Sequence, residues 1–266
     1  MLIDTHCHLT YEGLAPQIDD VLQRARAAGV RRIITVAEDV GDARASLKLM
    51  NGRPQVFLIA GIHPHKAAKV TADDVSALTD LHHARWSQDD PLDRVVAVGE
   101  IGLDFHYDFA TPDQQEAVFR SQLELARETS RPVVIHARQA EERVCDILTE
   151  YPPLSERAVF HCFSGGPELA RRVLDTGALL SFTGVVTFKN AGPVRDSARL
   201  APADRILVET DAPFLSPEPI RKMHPCEPAF VVHTARLLAD LRQESFEAFA
   251  ATTTANAERF FKLPEE

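Results

Sequence analysis

Short apolar, β-branched runs alternate with helical spacings along the whole chain. The runs predict strands at residues 2–6, 32–36, 56–60, 95–99, 132–136, 158–161, 178–182 and 205–209. Each is apolar over several consecutive positions, the pattern of parallel strands buried on both faces. Between the first two, Ile18, Val21, Leu22 and Ala25 recur at helical intervals, with Pro16 at a first turn and Gly29 as a stop. Val40, Ala43, Leu47 and Met50 form a second stripe. Thr111-Pro112-Asp113-Gln114 is a capping box with proline at the first helical position, ahead of Phe119, Leu123 and Ala126. Further stripes run through Ala140, Val144, Ile147 and Leu148, through Phe230, Thr234, Leu237, Leu238 and Leu241, and through Phe246, Phe249, Ala257 and Phe260. Aromatic residues at this spacing are read as core. Repeated βα alternation with eight strands predicts an α/β fold, a (β/α)8 TIM barrel in which residues 1–266 form a single domain. A doubly wound open sheet is the alternative, because strand count alone does not prove closure. Residues 86–91 read as a surface loop between a helix and the fourth strand.

The polar residues that break these runs stand at C-terminal strand ends. The first strand ends in His6-Cys7-His8, the third is followed by Gly61-Ile62-His63-Pro64-His65, and the fourth by Gly99-Glu100-Ile101-Gly102-Leu103-Asp104. The fifth ends Ile135-His136-Ala137-Arg138, the sixth His161-Cys162-Phe163-Ser164-Gly165 and the eighth Val208-Glu209-Thr210-Asp211. In a closed barrel that end is where active sites sit. On an extended strand Asp4, His6 and His8 share one face, so two imidazoles can grip one ion.

A single buried histidine is more often a hydrogen-bonded core residue, and a single carboxylate can cap a helix. Five ends, the first, fourth, fifth, sixth and eighth, carrying such residues together are a different matter, since buried charges are costly unless paired or bound to metal. The set points to a metal site. His6, His8, His136 and His161 with Glu100 and Asp211 exceed the three protein ligands of one open catalytic ion, which suggests two divalent ions. A carboxylate can bridge, so Glu100 is the expected bridge, with His6, His8 and Asp211 on one ion and His136 and His161 on the other. Nitrogen-rich ligation favours Zn2+ or Mn2+ over Mg2+.

Composition narrows the picture. The 266 residues carry a net charge of −10 and no evident basic patch, which argues against a protein that holds nucleic acid by surface charge. If the substrate is a phosphodiester, bound metal must supply much of the local positive charge. Cys7, Cys145, Cys162 and Cys226 show no CxxC spacing, which suits a reducing cytoplasm and a packing role. No signal peptide and no apolar run of roughly 20 residues is evident, so a cytoplasmic protein without membrane attachment is expected.

Asp4-Thr5-His6-Cys7-His8, Gly61-Ile62-His63-Pro64-His65, Gly99-Glu100-Ile101-Gly102-Leu103-Asp104, His161-Cys162-Phe163-Ser164-Gly165 and Glu209-Thr210-Asp211-Ala212-Pro213 together resemble the TatD family of metal-dependent deoxyribonucleases. They occur in that family's order and span nearly the whole chain. The resemblance implies an amidohydrolase-type barrel, a divalent-metal centre and hydrolysis of DNA phosphodiesters. The implied enzyme is a 3′→5′ exonuclease on single-stranded DNA or 3′ ends, with a metal-activated water as nucleophile and a place in DNA repair. No obligate protein partner is implied. After the eighth strand, relatives carry a Pro-His-Arg-Gly-like segment and then Asn-Glu-Pro. Here Ile220, Lys222 and Cys226 depart from it while Arg221, Glu227 and Pro228 fit, a difference that bears on substrate preference.

Residue roles follow as expectations. Asp211 accepts the water's proton and returns it to the leaving oxygen. Glu209, on the same face, either orients a metal-bound group or is a structural carboxylate. His63 hydrogen-bonds the phosphate, His65 is a weaker candidate, and Arg138 and Arg221 are phosphate contacts that could instead pair with surface carboxylates. Backbone N–H groups from Ser164 onward could hold a phosphate at a helix start. Phe105, His106 and Tyr107 could stack on a base. The alternative is a small-molecule amidohydrolase, lactonase or deacylase with the same binuclear centre. Many of those bridge their ions with a carboxylated lysine, whereas none of Lys48, Lys66, Lys69, Lys189, Lys222 and Lys262 ends a predicted strand.

Overall fold

A computed structural model of the chain describes residues 1–83 and 91–264. The strands are β1 (Leu2–Cys7), β2 (Val30–Ala37), β3 (Val56–Ala60), β4 (Val95–Asp104), β5 (Val133–Arg138), β6 (Ala158–Phe160), β7 (Leu179–Phe182) and β8 (Ile206–Val208). The helices are α1 (Ile18–Ala27), α2 (Val40–Met50), α3 (Ala72–His83), α4 (Pro112–Thr129), α5 (Glu141–Thr149), α6 (Pro167–Asp175), α7 (Gly192–Leu200), α8 (Val231–Arg242) and α9 (Phe246–Phe261). The strands form one sheet in chain order, β1 to β8. Cys7 at the end of β1 also bridges Ala212 beyond β8 in parallel. This is the expected (β/α)8 barrel class.

All eight expected strands are present, because a parallel strand covered on both faces must be apolar almost throughout. β1, β3 and β4 are buried at every position. β4 runs five residues past its expected end at residue 99. A register shift between Val98 and Ile101 accommodates Glu100, and pairing with β5 then continues from Ile101↔Ile135 to Asp104↔Arg138. Pro16 stands in a short 3-10 turn (Ala15–Gln17) that leads into α1 rather than in α1 itself. The capping box at Thr111 forms, with both reciprocal bonds. The expected loop at 86–91 falls, up to residue 90, outside the described residues.

Chain contacts divide the protein into two compact units. The first comprises Met1–Thr35, His161–Asp175 and Leu179–Glu266. In it α9 packs on β1 and β8, burying Phe249, Ala257 and Phe261. The second comprises Val36–Phe160 and Thr176–Ala178. Its centre is the β3–β4–β5 ladder with α4 laid on β4, where Phe119 and Leu123 are buried. No helix among the described residues is long and apolar enough to cross a membrane.

Candidate metal centre

The first unit carries donors from three strand ends. Backbone bonds fix β1 against the residues after β8: Asp211 N–H donates to His6 O at 2.9 Å and His8 N–H donates to Ala212 O at 2.7 Å. Asp4, fully buried, accepts from the Thr210 backbone N–H at 2.8 Å and from its hydroxyl at 2.6 Å. These bonds set Asp211 beside both histidines. Asp211 itself takes a left-handed backbone with φ of 57°, which aspartate tolerates better than most residues. Its Oδ1 stands 3.8 Å from His6 Nε2 and 3.6 Å from His8 Nε2. His161, just past β6, stacks on His6 with centroids 4.0 Å apart and planes 11° from parallel.

The donor atoms of His6, His161 and Asp211 lie within 4.8 Å of one another. Separations of 3.6 and 3.8 Å are long for hydrogen bonds but suit donors that each reach about 2.1 Å to a shared ion. Imidazoles and a carboxylate fit a divalent ion of the first transition row. Burial raises the Asp211 carboxyl, yet His8, His161 and His6 outweigh it and hold it below the usual carboxylate range. Glu209 is buried and accepts from Ser181 Oγ at 2.5 Å and from the Cys162 backbone N–H at 2.6 Å. Its Oε1 is also 3.4 Å from His161 Nδ1, so one carboxylate ties β7 and the turn after β6 to a donor histidine.

The second unit carries a second cluster. His136 Nδ1 is 2.6 Å from Glu100 Oε1, and its Nε2 is 3.0 Å from Asp104 Oδ2. His65 Nε2 reaches the same Asp104 oxygen at 2.8 Å. His63 Nε2 is 3.5 Å from Glu100 Oε1, and His63 Nδ1 accepts from the His65 backbone N–H at 3.1 Å. Ring nitrogens of His63, His65 and His136 lie within 4.8 Å of one another. Burial lowers the His63 imidazole to about 4, with Glu100 opposing. Burial raises the Asp104 carboxyl, but the bonds from His136 and His65 outweigh it and hold it well below the ordinary range.

Glycines make this cluster possible. Gly102 has φ of 142°, and a Cβ there would run into the His136 backbone carbonyl. A Cβ on Gly99 would stand 2.8 Å from both Ile59 Cγ2 and Val134 Cβ, so β4 comes this close to β3 and β5 only without one.

The expected substrate contacts differ in their surroundings. His63 and His65 stand inside the second cluster. Arg138 is exposed, with its guanidinium carbon 4.9 Å from the centre of the Tyr107 ring. Arg221 is exposed and lies 3.7 Å over the Phe188 ring, in a cavity of about 660 Å3 lined by residues 218–224. Ser164 is exposed, three residues before α6. Cys7 is fully buried, and all four cysteines are free thiols.

Three buried residues that the sequence pattern did not single out shape the second cluster. Gln122 on α4 accepts from Ile62 N–H at 2.7 Å and donates to Ile62 O at 3.0 Å, clamping the chain one residue before His63. Gln115, two turns earlier, does the same to Asp104, at 2.7 and 2.8 Å. The third is Asp104 itself. A signal for the two glutamines exists: 115, 119, 122 and 126 lie on one helical face, so both share the stripe of Phe119 and Ala126.

A family model described as TatD related DNase matches residues 3–262. The chain belongs to the TatD family. Among relatives, the metal-dependent hydrolase YabD of Bacillus subtilis is 37% identical over 263 residues, 99% of this chain and 100% of its own. The 3′-5′ ssDNA/RNA exonuclease TatD of Erwinia billingiae is 35% identical over 268 residues, 99% of this chain and 100% of its own. The crystal structure of YjjV, a TatD homolog from Escherichia coli K12, superposes with a TM-score of 0.90 at 29% identity, covering 99% of this chain and 98% of that one. As a TatD-family member this chain is a metal-dependent hydrolase, and among the described residues its clusters of histidine and carboxylate could hold a metal ion.

Proposed function

We propose that this protein hydrolyses DNA phosphodiester bonds from 3′ ends, acting on single strands with two divalent ions. The observation that carries the reading is the first cluster, three imidazoles and a carboxylate, with exposed aromatic rings at its edge. Phe214 and Tyr11 are both exposed, their centroids 6.1 Å apart, and Phe214 is 6.4 Å from His8. Rings placed so suit stacking on unpaired bases, which is tolerant of sequence. The second unit offers a comparable group in Tyr107 and Phe109 beside His65. A relative carrying the name of a 3′-5′ ssDNA/RNA exonuclease supports the same substrate class.

In this reading His6, His8 and Asp211 would hold one ion together with His161, which the sequence had paired with His136 but whose ring stacks on His6. Glu100 and His136 would hold the second. The ions would supply charge neutralisation at the phosphoryl oxygens and acidify the attacking water. Asp211 takes the water's proton and passes it to the departing 3′ oxygen, general base and then general acid. Glu209 keeps His161 in position, His63 donates through Nε2 to a phosphoryl oxygen, and Arg221 and Arg138 steady the strand. The net charge of −10 leaves the metal as the main attraction for a polyanion. Four free thiols accord with work in a reducing compartment such as the cytoplasm.

The test is a 5′-labelled single strand incubated with Mg2+, Mn2+ or Zn2+, beside a lactone panel. Progressive shortening from the 3′ end is expected, stopped by a chelator and reduced on the order of 100-fold or more in Glu100→Ala and Asp211→Ala. Shortening that persists in either variant refutes the mechanism. Intact DNA alongside lactone cleavage refutes the substrate.

A further inference from the structure

Asp104 is fully buried and its oxygens meet four donors. Oδ2 faces His65 Nε2 at 2.8 Å and His136 Nε2 at 3.0 Å. Oδ1 accepts the backbone N–H groups of His106 at 2.9 Å and Tyr107 at 3.2 Å. Its own backbone is gripped on both sides by Gln115, so neither the main chain nor the carboxylate is free to turn. An ionised carboxylate only accepts, so both ring nitrogens that face it carry protons.

That fixes the chemistry of the other nitrogen of His136. A neutral imidazole has one N–H. With that hydrogen on Nε2, the lone pair of Nδ1 points to Glu100 Oε1, 2.6 Å away. Two acceptors this close share a hydrogen when no ion is bound, and an ion held by Nδ1 and Oε1 would take that hydrogen's place.

We propose that Asp104 is a positioning residue that locks His136 in the Nε2–H tautomer and so presents Nδ1 as its metal-binding nitrogen. The proposal rests on the metal-centre part of the proposed function and not on DNA as the substrate. It makes Asp104 the counterpart of Glu209, whose carboxylate stands 3.4 Å from His161 Nδ1. In both places a buried carboxylate on one ring nitrogen leaves the other for the ion. Asp104 would also carry a structural load, holding the turn at His106 and Tyr107, so stability alone does not test it.

Asp104→Asn keeps the shape and leaves an oxygen for the two backbone N–H groups. Its amide N–H2 replaces an acceptor with a donor, which opposes the Nε2–H tautomer, as isosteric replacement of a histidine's carboxylate partner does elsewhere. Zinc alone is the probe, titrated into the full chain against a competing chelator. Loss of 10–100-fold in affinity for one of the ions is expected, with an unchanged far-ultraviolet spectrum. Long-range 1H–15N spectra of the zinc-loaded parent, with His136 assigned by a His136→Asn variant, should show zinc on Nδ1 and the hydrogen on Nε2.

A folded Asp104→Asn protein that binds zinc like the parent overturns the proposal. So does a parent spectrum with zinc on Nε2, or with no zinc on His136. If the variant does not fold, the parent spectrum still decides. Failure to cleave DNA with these zinc results intact would remove the substrate assignment and leave the role of Asp104 standing.

Discussion

Replacing Gln122 by leucine tests whether the α4 clamp holds the loop that carries His63. The side-chain amide makes two bonds to one buried peptide neighbourhood, from Ile62 N–H at 2.7 Å and to Ile62 O at 3.0 Å. Leucine has a similar volume and can make neither bond. Each buried backbone group left without its partner costs about 1–3 kcal/mol, so the gross loss is about 2–6 kcal/mol. The added apolar burial of leucine offsets about 1–2 kcal/mol of that. A net destabilisation of roughly 1–4 kcal/mol follows, which for a chain of this size lowers the melting temperature by roughly 2–15 °C. Calorimetry and urea unfolding of parent and variant measure it directly. Because Ile62 precedes His63, substrate affinity should also weaken beyond what the unfolded fraction explains. A change smaller than about 0.5 kcal/mol, the range of a neutral surface substitution, would refute the reasoning.

Two other expectations rest on different physics. Gly102→Ala places a methyl group against the His136 carbonyl at a φ of 142°, so β4 and β5 must part; a loss of about 3 kcal/mol or more is expected, and a melting temperature within 2 °C (roughly 1 kcal/mol) of the parent would contradict it. His82 is buried on α3 with Nε2 donating to Ala60 O at 2.9 Å, and burial lowers its imidazole from 6.5 to about 3. Between those values the unfolded chain binds a proton that the folded chain refuses. The stability tied to this group is therefore complete above pH 6.5 and is lost as pH falls toward 3, at up to about 1.4 kcal/mol per unit. His82→Gln keeps a donor for Ala60 and removes the titration, so its unfolding free energy should drop roughly 2–3 kcal/mol less than the parent's between pH 7 and 4.5. Parallel curves for the two proteins would show that His82 does not titrate in this way.

The strands were legible because burial on both faces forces a continuous apolar run, a local signal needing no knowledge of the partner strand. The capping box at Thr111 was legible for the same reason, since its bonds span three residues. Candidate donors stood out as polar residues at strand ends, where a barrel gathers its chemistry. Helices α3 and α7 were harder to place, since α3 buries only Leu78 and His82 and α7 only Val194, Ser197 and Ala198.

What the tertiary structure alone decided is which groups meet. Gln115 and Gln122 interrupt an apolar stripe, and nothing within α4 says that one will grip Asp104 and the other Ile62, 60 residues away in the chain. Asp104 lay within a recognisable motif, yet its hold on His136 depends on the register that sets Gly102 opposite His136 and Asp104 opposite Arg138. The Tyr107 ring beneath Arg138 likewise depends on how the loop after β4 folds back toward the end of β5. Hydrophobic burial is non-directional and repeats along a strand or helix, so it can be read from order in the chain. Hydrogen bonds between elements are directional and demand atoms within about 3 Å, a condition met only once strands are in register. For this protein the sequence determined the barrel and the kinds of donor it carries, and the packed structure decided how each donor is held.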